Sequence, residues 1–396
     1  MRDAPSALRS HWHLDDAVTF LNHGSFGACP KPVLAYQDEL RLRMEREPVQ
    51  FFVMELEGLQ NQAREAVAKF VGARPEDLGF VRNATAGFNA ILRCLPFEAG
   101  DELLTTDHAY NACRNTIDYV ASRTGATVVT AHVPFPLASP DEATEALLQA
   151  ASDRTRLAIV DHITSSTGLV LPIADIVKRL RERGIETLVD GAHAPGMVDL
   201  SIESLGAGYY TANFHKWVCA PKGAAMLWVR PDLQEGFHPA AISHGYNSPR
   251  PRKKFLEEID WVGTDDPSPA LAVPKAIEFI GSLLPGGWDE IRTRNRTLAL
   301  AGRRILATAL DVDVPAPESM IGTLAALPLP DGGDPVLTTA LYSDPIQRAL
   351  FRKHRIEVPV PPWPAPPKRL IRISAHLYNT REDYERLATA LPPLLG

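Results

Sequence analysis

The stretch Thr187–Gly223 reads TLVDGAHAPGMVDLSIESLGAGYYTANFHKWVCAPKG. An apolar run ends in Asp190, a loop of small residues carries His193, and a second apolar run leads into Asn213-Phe214-His215-Lys216-Trp217. An acid at one strand end and a lysine just after the next can converge on one pocket. A lysine amine forms an imine with an aldehyde when a desolvated or cationic surrounding lowers its pKa. A carboxylate set against a pyridine nitrogen keeps that nitrogen protonated, and the ring then acts as an electron sink. Alone, Asp190 or Lys216 would be a surface charge and His193 a structural histidine. Their order along the chain is what carries the chemistry.

Other segments fit the same pocket. In Phe80–Arg93, FVRNATAGFNAILR, a strand runs into an apolar helix whose N-terminal amides and dipole suit a phosphate, with the hydroxyl of Thr85 beside them. The competing reading is a plain N-cap by Asn83 or Thr85. Asp107-His108-Ala109-Tyr110-Asn111 follows a strand and offers a ring to stack on a pyridine. Asp161–Gly168, DHITSSTG, offers hydroxyls for a phenolic oxygen. In Leu370–Ser374, LIRIS, Arg372 suits bidentate capture of a carboxylate, unless it closes a structural ion pair. An aldehyde, a pyridine nitrogen and a phosphate together describe pyridoxal 5′-phosphate (PLP).

These residues need a scaffold that brings strand ends together. Strand-length apolar runs occur at Asp77–Val81, Glu102–Thr105, Thr127–His132, Leu157–Asp161, Thr187–Asp190, Tyr209–Ala212 and Ala224–Val229. Helical patterns lie at Pro32–Glu45, Leu56–Phe70, Thr85–Arg93, Asn111–Thr124, Asp141–Ala151, Pro172–Arg183 and Ala270–Leu284. This alternation predicts an α/β fold with a mostly parallel sheet. In open α/β sheets ligands bind outside the carboxyl ends of strands, where the loops Ile163–Gly168 and Gly191–Pro195 fall. After about residue 270 the pattern changes to long helices, Asp289–Leu310 among them, and short strands such as Thr323–Pro328 and Leu370–Ser374. The reading is a large domain over residues 17–270 and a smaller α+β domain formed by 1–16 and 271–396. The Pro-rich run Val358–Pro367 reads as a stiff loop of the smaller domain.

The bulk properties exclude other classes. The net charge is −7, which argues against a general hold on nucleic acid, and the basic cluster Arg250, Arg252, Lys253 and Lys254 reads as a solvated loop. Cys29, Cys94, Cys113 and Cys219 show neither paired nor metal-ligand spacing, so no metal site is expected. No signal peptide opens the chain and no run reaches membrane-helix length. A reducing cytoplasm is the expected compartment. A nucleotide-binding dehydrogenase is disfavoured, because no convincing GxGxxG follows the first strand.

The motifs LNHGSFGACPKPV, REPVQFF, RNATAGFNA, SSTGLVLPI, VDGAHAPG, HKW with APKG, DWVGTDDPSPALAVP and RISAHLYNT span nearly the whole chain. With them the sequence resembles the class V aminotransferase family, and within it the isopenicillin N epimerase-like group. The resemblance implies the PLP-dependent transferase fold type I, its large domain built on a mostly parallel seven-stranded sheet. Lys216 would then carry PLP as a Schiff base, Asp190 would pair with its pyridine nitrogen, and His193 would lie near its phenolic oxygen. Ala84, Thr85, Asn213 and His215 would hold the phosphate. Thr264 would reach the phosphate of a second copy, which implies a homodimer with shared sites. Arg372 would bind the substrate α-carboxylate, with Asn22, His23 and Gly24 close by. Two departures stand out. Many members stack the histidine at His108 on the cofactor, whereas epimerase-like members place a tyrosine at Tyr110; this chain has both. Many desulfurases carry asparagine where Ser165 stands.

The family spans several reactions, and fold alone does not choose among them. A persulfide-forming desulfurase needs a cysteine on a mobile loop late in the chain, and none follows Cys219. Epimerisation needs an acid/base on each face of the α-carbon, Lys216 on one and Tyr110 or His108 on the other. The expectation is an epimerase-like enzyme acting at the α-carbon of an amino acid. A C–S or β-eliminating lyase and an aminotransferase are the alternatives, and a non-catalytic binding module is disfavoured by the retained Asp190, Lys216 and Arg372.

Overall fold

The structure, a computed structural model, describes residues 7–333 and 344–395; positions 1–6 of the expected smaller domain lie outside them. Its strands are β1 (Thr19–Phe20), β2 (Leu78–Val81), β3 (Glu102–Thr106), β4 (Thr127–Ala131), β5 (Thr155–Asp161), β6 (Glu186–Asp190), β7 (Tyr209–Asn213), β8 (Ala225–Val229), β9 (Leu324–Leu329), β10 (Ile356–Glu357) and β11 (Arg369–Ser374). Strands β2 to β8 form a seven-stranded sheet in the order β2-β8-β7-β6-β5-β3-β4. All its neighbours pair in parallel except β8, which runs against both β7 and β2.

Alternation along the strands fills two cores. In β5, Leu157 and Ile159 join one hydrophobic cluster, while Ala158 and Val160 join the other. Helices therefore cover both faces, which is why these strands read as continuous apolar runs. The helix Asn111–Thr124 follows β3 and buries Cys113, Ile117, Val120 and Ala121 at helical spacing. The helix Ala84–Cys94 packs on β7, where a Cβ added to Gly87 would lie 2.3 Å from Thr211 Oγ1. That close approach sets its N-terminus at the carboxyl end of the sheet.

The pattern expected as one helix over Ala270–Leu284 is two, Ser268–Leu271 and Val273–Gly281. Pro274 has no N–H to give the preceding turn, so the ladder breaks there. Beyond Gly287 a helix to Leu310 packs on the antiparallel pair β9–β11 and on the helix Arg381–Ala390. β1 pairs in parallel with β10, so residues just past the expected boundary at 17 hydrogen-bond to the C-terminal unit. From the Pro-rich segment, Trp363 meets Phe135 and His108, at ring distances of 5.2 and 4.7 Å. The basic cluster is ion-paired rather than free: Arg250 with Glu57, Arg252 with Asp260, and Lys253 with Asp77. Among the described residues no helix is long and apolar enough to cross a membrane.

Candidate active site

A cavity of about 770 Å³ opens at the carboxyl ends of β5, β6 and β7. Asp190, the last residue of β6, is buried; its Oδ1 accepts the Ala192 N–H at 2.9 Å and its Oδ2 accepts the Cys113 S–H at 3.0 Å. Asp161 ends β5 directly opposite Asp190. Burial, and then Asp190 itself, push the Asp161 carboxyl well above its ordinary range. Burial and Asp190 likewise raise the Cys113 thiol, which makes it the donor of its pair.

Lys216 follows β7 and faces the same cavity. Burial, with Arg372 nearby and Asp190 opposing, lowers its ammonium to about 8. His193 Nε2 lies 3.0 Å from Nζ, and the Trp217 indole N–H points to His193 Nδ1 at 3.3 Å. An indole N–H only donates, so Nδ1 accepts and Nε2 carries the ring proton toward the lone pair of the neutral amine. Burial, reinforced by Lys216, holds His193 uncharged. The N-terminal segment presses on this loop: Gly27 has φ 68°, and a Cβ there would meet the His215 carbonyl oxygen at 1.8 Å.

At the other wall stands the N-terminus of Ala84–Cys94. Asn83 caps it, its side chain accepting the Ala86 N–H at 2.8 Å, and Asn213 Oδ1 accepts the Ala84 N–H at 2.8 Å. Thr85 lines the cavity beside them. His215 Nδ1 is buried and has no partner among the described residues.

Arg372, on β11, is 5% exposed and donates to the Ser165 carbonyl at 2.6 Å, to Ser165 Oγ at 3.3 Å and to Ser25 Oγ at 3.0 Å. Its Nε is buried without an acceptor, and no carboxylate pairs with it among the described residues. Burial lowers it to about 10. The structural ion pair that the sequence left open is therefore absent from the described residues.

Tyr110 lines the cavity with 43% of its surface open, and burial of the remainder raises its phenol, so it keeps its proton. His108 sits outside the cavity lining. Its Nε2–H donates to the Val133 carbonyl at 2.9 Å and its Nδ1 meets Thr167 Oγ1 at 2.8 Å. Asn22 is tied to Glu357 at 3.0 Å and to Ser25 at 2.5 Å, and His23 is fully buried behind Lys216; neither lines the cavity, whereas Ser25 and Phe26 do. Thr264 is exposed on a rim loop whose Gly263 and Asp265 line the cavity.

Residues 49–387 match the Aminotransferase class-V family. The chain belongs to that family. It is 39% identical to isopenicillin N epimerase of Amycolatopsis lactamdurans, with 98% of this chain and 97% of that protein aligned. It is 31% identical to a probable chloroplastic L-cysteine desulfhydrase of Arabidopsis thaliana, over 97% of this chain and 84% of the relative. In three dimensions it is similar to a C-DES variant with glycine covalently linked to its PLP cofactor: TM-score 0.79, 21% identity, 97% of this chain and 98% of that one. The fold is that of the PLP-dependent class V enzymes, fold type I, and the cofactor is pyridoxal 5′-phosphate.

The class V cofactor fits what the cavity offers. A buried lysine reaches its neutral form near pH 8, a buried carboxylate lines the same cavity, and so do Thr85 of the helix N-terminus and His215, whose Nδ1 has no partner among the described residues. Sequence reading passed over several neighbours. Ser25 stands inside LNHGSFG and Trp217 inside HKW, so motif membership marked both. Cys113 showed only its place on the buried face of a helix, and its approach to Asp190 depends on how that helix crosses the sheet.

Proposed function

We propose that this PLP-dependent class V enzyme inverts the α-carbon of an amino-acid substrate. Bound PLP supplies a sink for the electrons left when a bond to that carbon breaks. Lys216 would carry the cofactor and, once released from it, exchange a proton at the α-carbon. Asp190 would pair with the pyridine nitrogen. Ala84, Thr85, Asn213 and His215 would receive the phosphate, and His193 would stand by the phenolic oxygen. Arg372, a buried cation with no carboxylate partner among the described residues, would hold the substrate α-carboxylate, with Ser25 and Ser165 keeping its fork in place.

One observation carries the epimerase reading: Tyr110, a protonated phenol, shares the cavity with Lys216, so a second proton carrier is at hand. His108 has both ring nitrogens engaged elsewhere and serves the loop instead. The relative at 39% identity supports this reading. Desulfurase chemistry is disfavoured, because Cys219, the last cysteine of the sequence, is fully buried. A β-eliminating lyase is the second reading, supported by the desulfhydrase relative. We also propose a homodimer, in which the exposed Val49, Val53 and Met54 beside Phe52 meet a second copy and Thr264 reaches its site. The four free cysteines support a reducing, cytoplasmic setting.

Proton NMR in D₂O with a panel of L-amino acids, followed by chiral analysis, tests the reaction. Exchange at the α-carbon with formation of the other enantiomer is expected. Release of pyruvate, ammonia or sulfide would replace the epimerase reading with the lyase.

A further inference from the structure

Behind Lys216, on the side away from the cavity, three distant segments meet. His23 is fully buried, with Nε2 2.9 Å from the Lys216 carbonyl oxygen and Nδ1 2.6 Å from the Tyr378 hydroxyl. A carbonyl only accepts, so Nε2 carries the ring proton and Nδ1 accepts from the Tyr378 O–H. The same carbonyl accepts the Cys219 N–H at 2.9 Å, which occupies both its lone pairs. Cys219 closes this turn in the left-handed region, at φ 60°. Trp217 lies against His23 with ring centres 5.1 Å apart, and its indole N–H orients His193. Lys216 is thus held at its main chain by His23 and at Nζ by His193, with Trp217 touching both.

We propose that His23, oriented by Tyr378, is a positioning residue for Lys216: it locks the lysine main chain so that Nζ stays aimed into the cavity. The inference rests on Lys216 as the cofactor lysine. It places His23 behind the lysine rather than beside the substrate, and gives Tyr378, whose segment lies in the C-terminal unit, a part in fixing the lysine. Burial lowers His23 to about 3, so the neutral tautomer that the hydrogen bonds require is the stable one.

A cation site is the rival use of this cluster. Ligand-type atoms of His23, Cys219 and His376 lie within 4.8 Å of one another. The His23 Nε2–H is nevertheless committed to the Lys216 carbonyl. The His23 and His376 rings stack at 4.2 Å with 20° between planes, and their Nε2 atoms meet Cys219 Sγ at 3.7 and 3.3 Å, as hydrogen-bond contacts of the thiol. The cluster is a hydrogen-bonded wedge.

The test uses holoenzyme carrying His23→Gln, His23→Leu or Tyr378→Phe. Borohydride reduction and peptide mapping of the unmodified holoenzyme come first; a cofactor label on any residue but Lys216 removes the reading on which the inference rests. With the label on Lys216, His23→Leu is expected to lower kcat about tenfold, the loss of one buried hydrogen bond. KM should stay within about twofold, because Arg372 is untouched. Cofactor release, followed by absorbance, should quicken in the same variant. His23→Gln keeps an N–H within reach of the carbonyl and should recover most of the loss. Tyr378→Phe removes one oxygen and should fall between. Unchanged kcat and cofactor release in His23→Leu would overturn the inference, as would an equal fall in His23→Gln, or one equivalent of tightly held metal per chain. If His23→Leu does not fold, Tyr378→Phe decides: wild-type release and kcat overturn the inference.

Discussion

Arg372 is a buried cation whose charge, after burial itself, helps to lower the Lys216 ammonium. Desolvation and Arg372 bring Lys216 to about 8, where the neutral amine becomes available. The sign of the pH effect follows. Capture of added PLP by protein stripped of cofactor should quicken as pH rises through about 8 and level off above, which stopped-flow absorbance measures. A rate flat across that range would show a different nucleophile. Lys216→Ala should lose the absorbance of covalently held cofactor while its circular dichroism stays that of the parent. Arg372→Ala should weaken substrate binding, raising KM by the equivalent of roughly 2–4 kcal/mol with little change in cofactor absorbance. Steady-state kinetics with an unchanged KM would return Arg372 to a structural role.

The elements that carry these side chains were legible because their burial is regular. Seven apolar runs in the sequence correspond to β2 through β8, with ends within a residue or two. The helix Asn111–Thr124 has the ends its periodicity predicts, since Gly125 stops it in the left-handed region. Where local chemistry competed with periodicity, the pattern misled: Pro274 splits the helix expected over Ala270–Leu284. At Gly87 packing admits no side chain. Gly87→Ala should destabilise the protein by about 1–3 kcal/mol, seen as a lower melting temperature, and should weaken PLP retention as the helix N-terminus shifts. Thr211→Ala in the same chain should return part of both losses, because Oγ1 is the atom in the way.

At the level of the molecule, the cavity is bordered by residues from the first sixty positions, the central sheet and the loop at 260–267. Exposed Val49, Val53 and Met54 stand at 69–74% beside Phe52, which lines that cavity. This exposed cluster is the ground for the proposed homodimer. Val53→Asp combined with Met54→Asp should shift the protein to monomer in sedimentation velocity and quicken PLP loss. A chain that sediments as a monomer before mutation would remove the shared-site proposal.

The sequence by itself determined the alternation of strands and helices and the class V cofactor, and it singled out Asp190, Lys216 and the start of Ala84–Cys94 as the residues proposed to hold it, because residue type, period and motif are local properties. It left open which ring faces the cofactor, since His108 and Tyr110 are neighbours on one loop. In the tertiary structure both nitrogens of His108 are engaged with Thr167 and Val133, and Tyr110 lies on the cavity wall. The tertiary structure also set Cys113 on Asp190, left Arg372 without a carboxylate among the described residues, and carried His23 behind the lysine. Each of these is a contact between segments far apart in the chain, whose distance depends on how helices and loops cross the sheet, and no local pattern encodes that crossing.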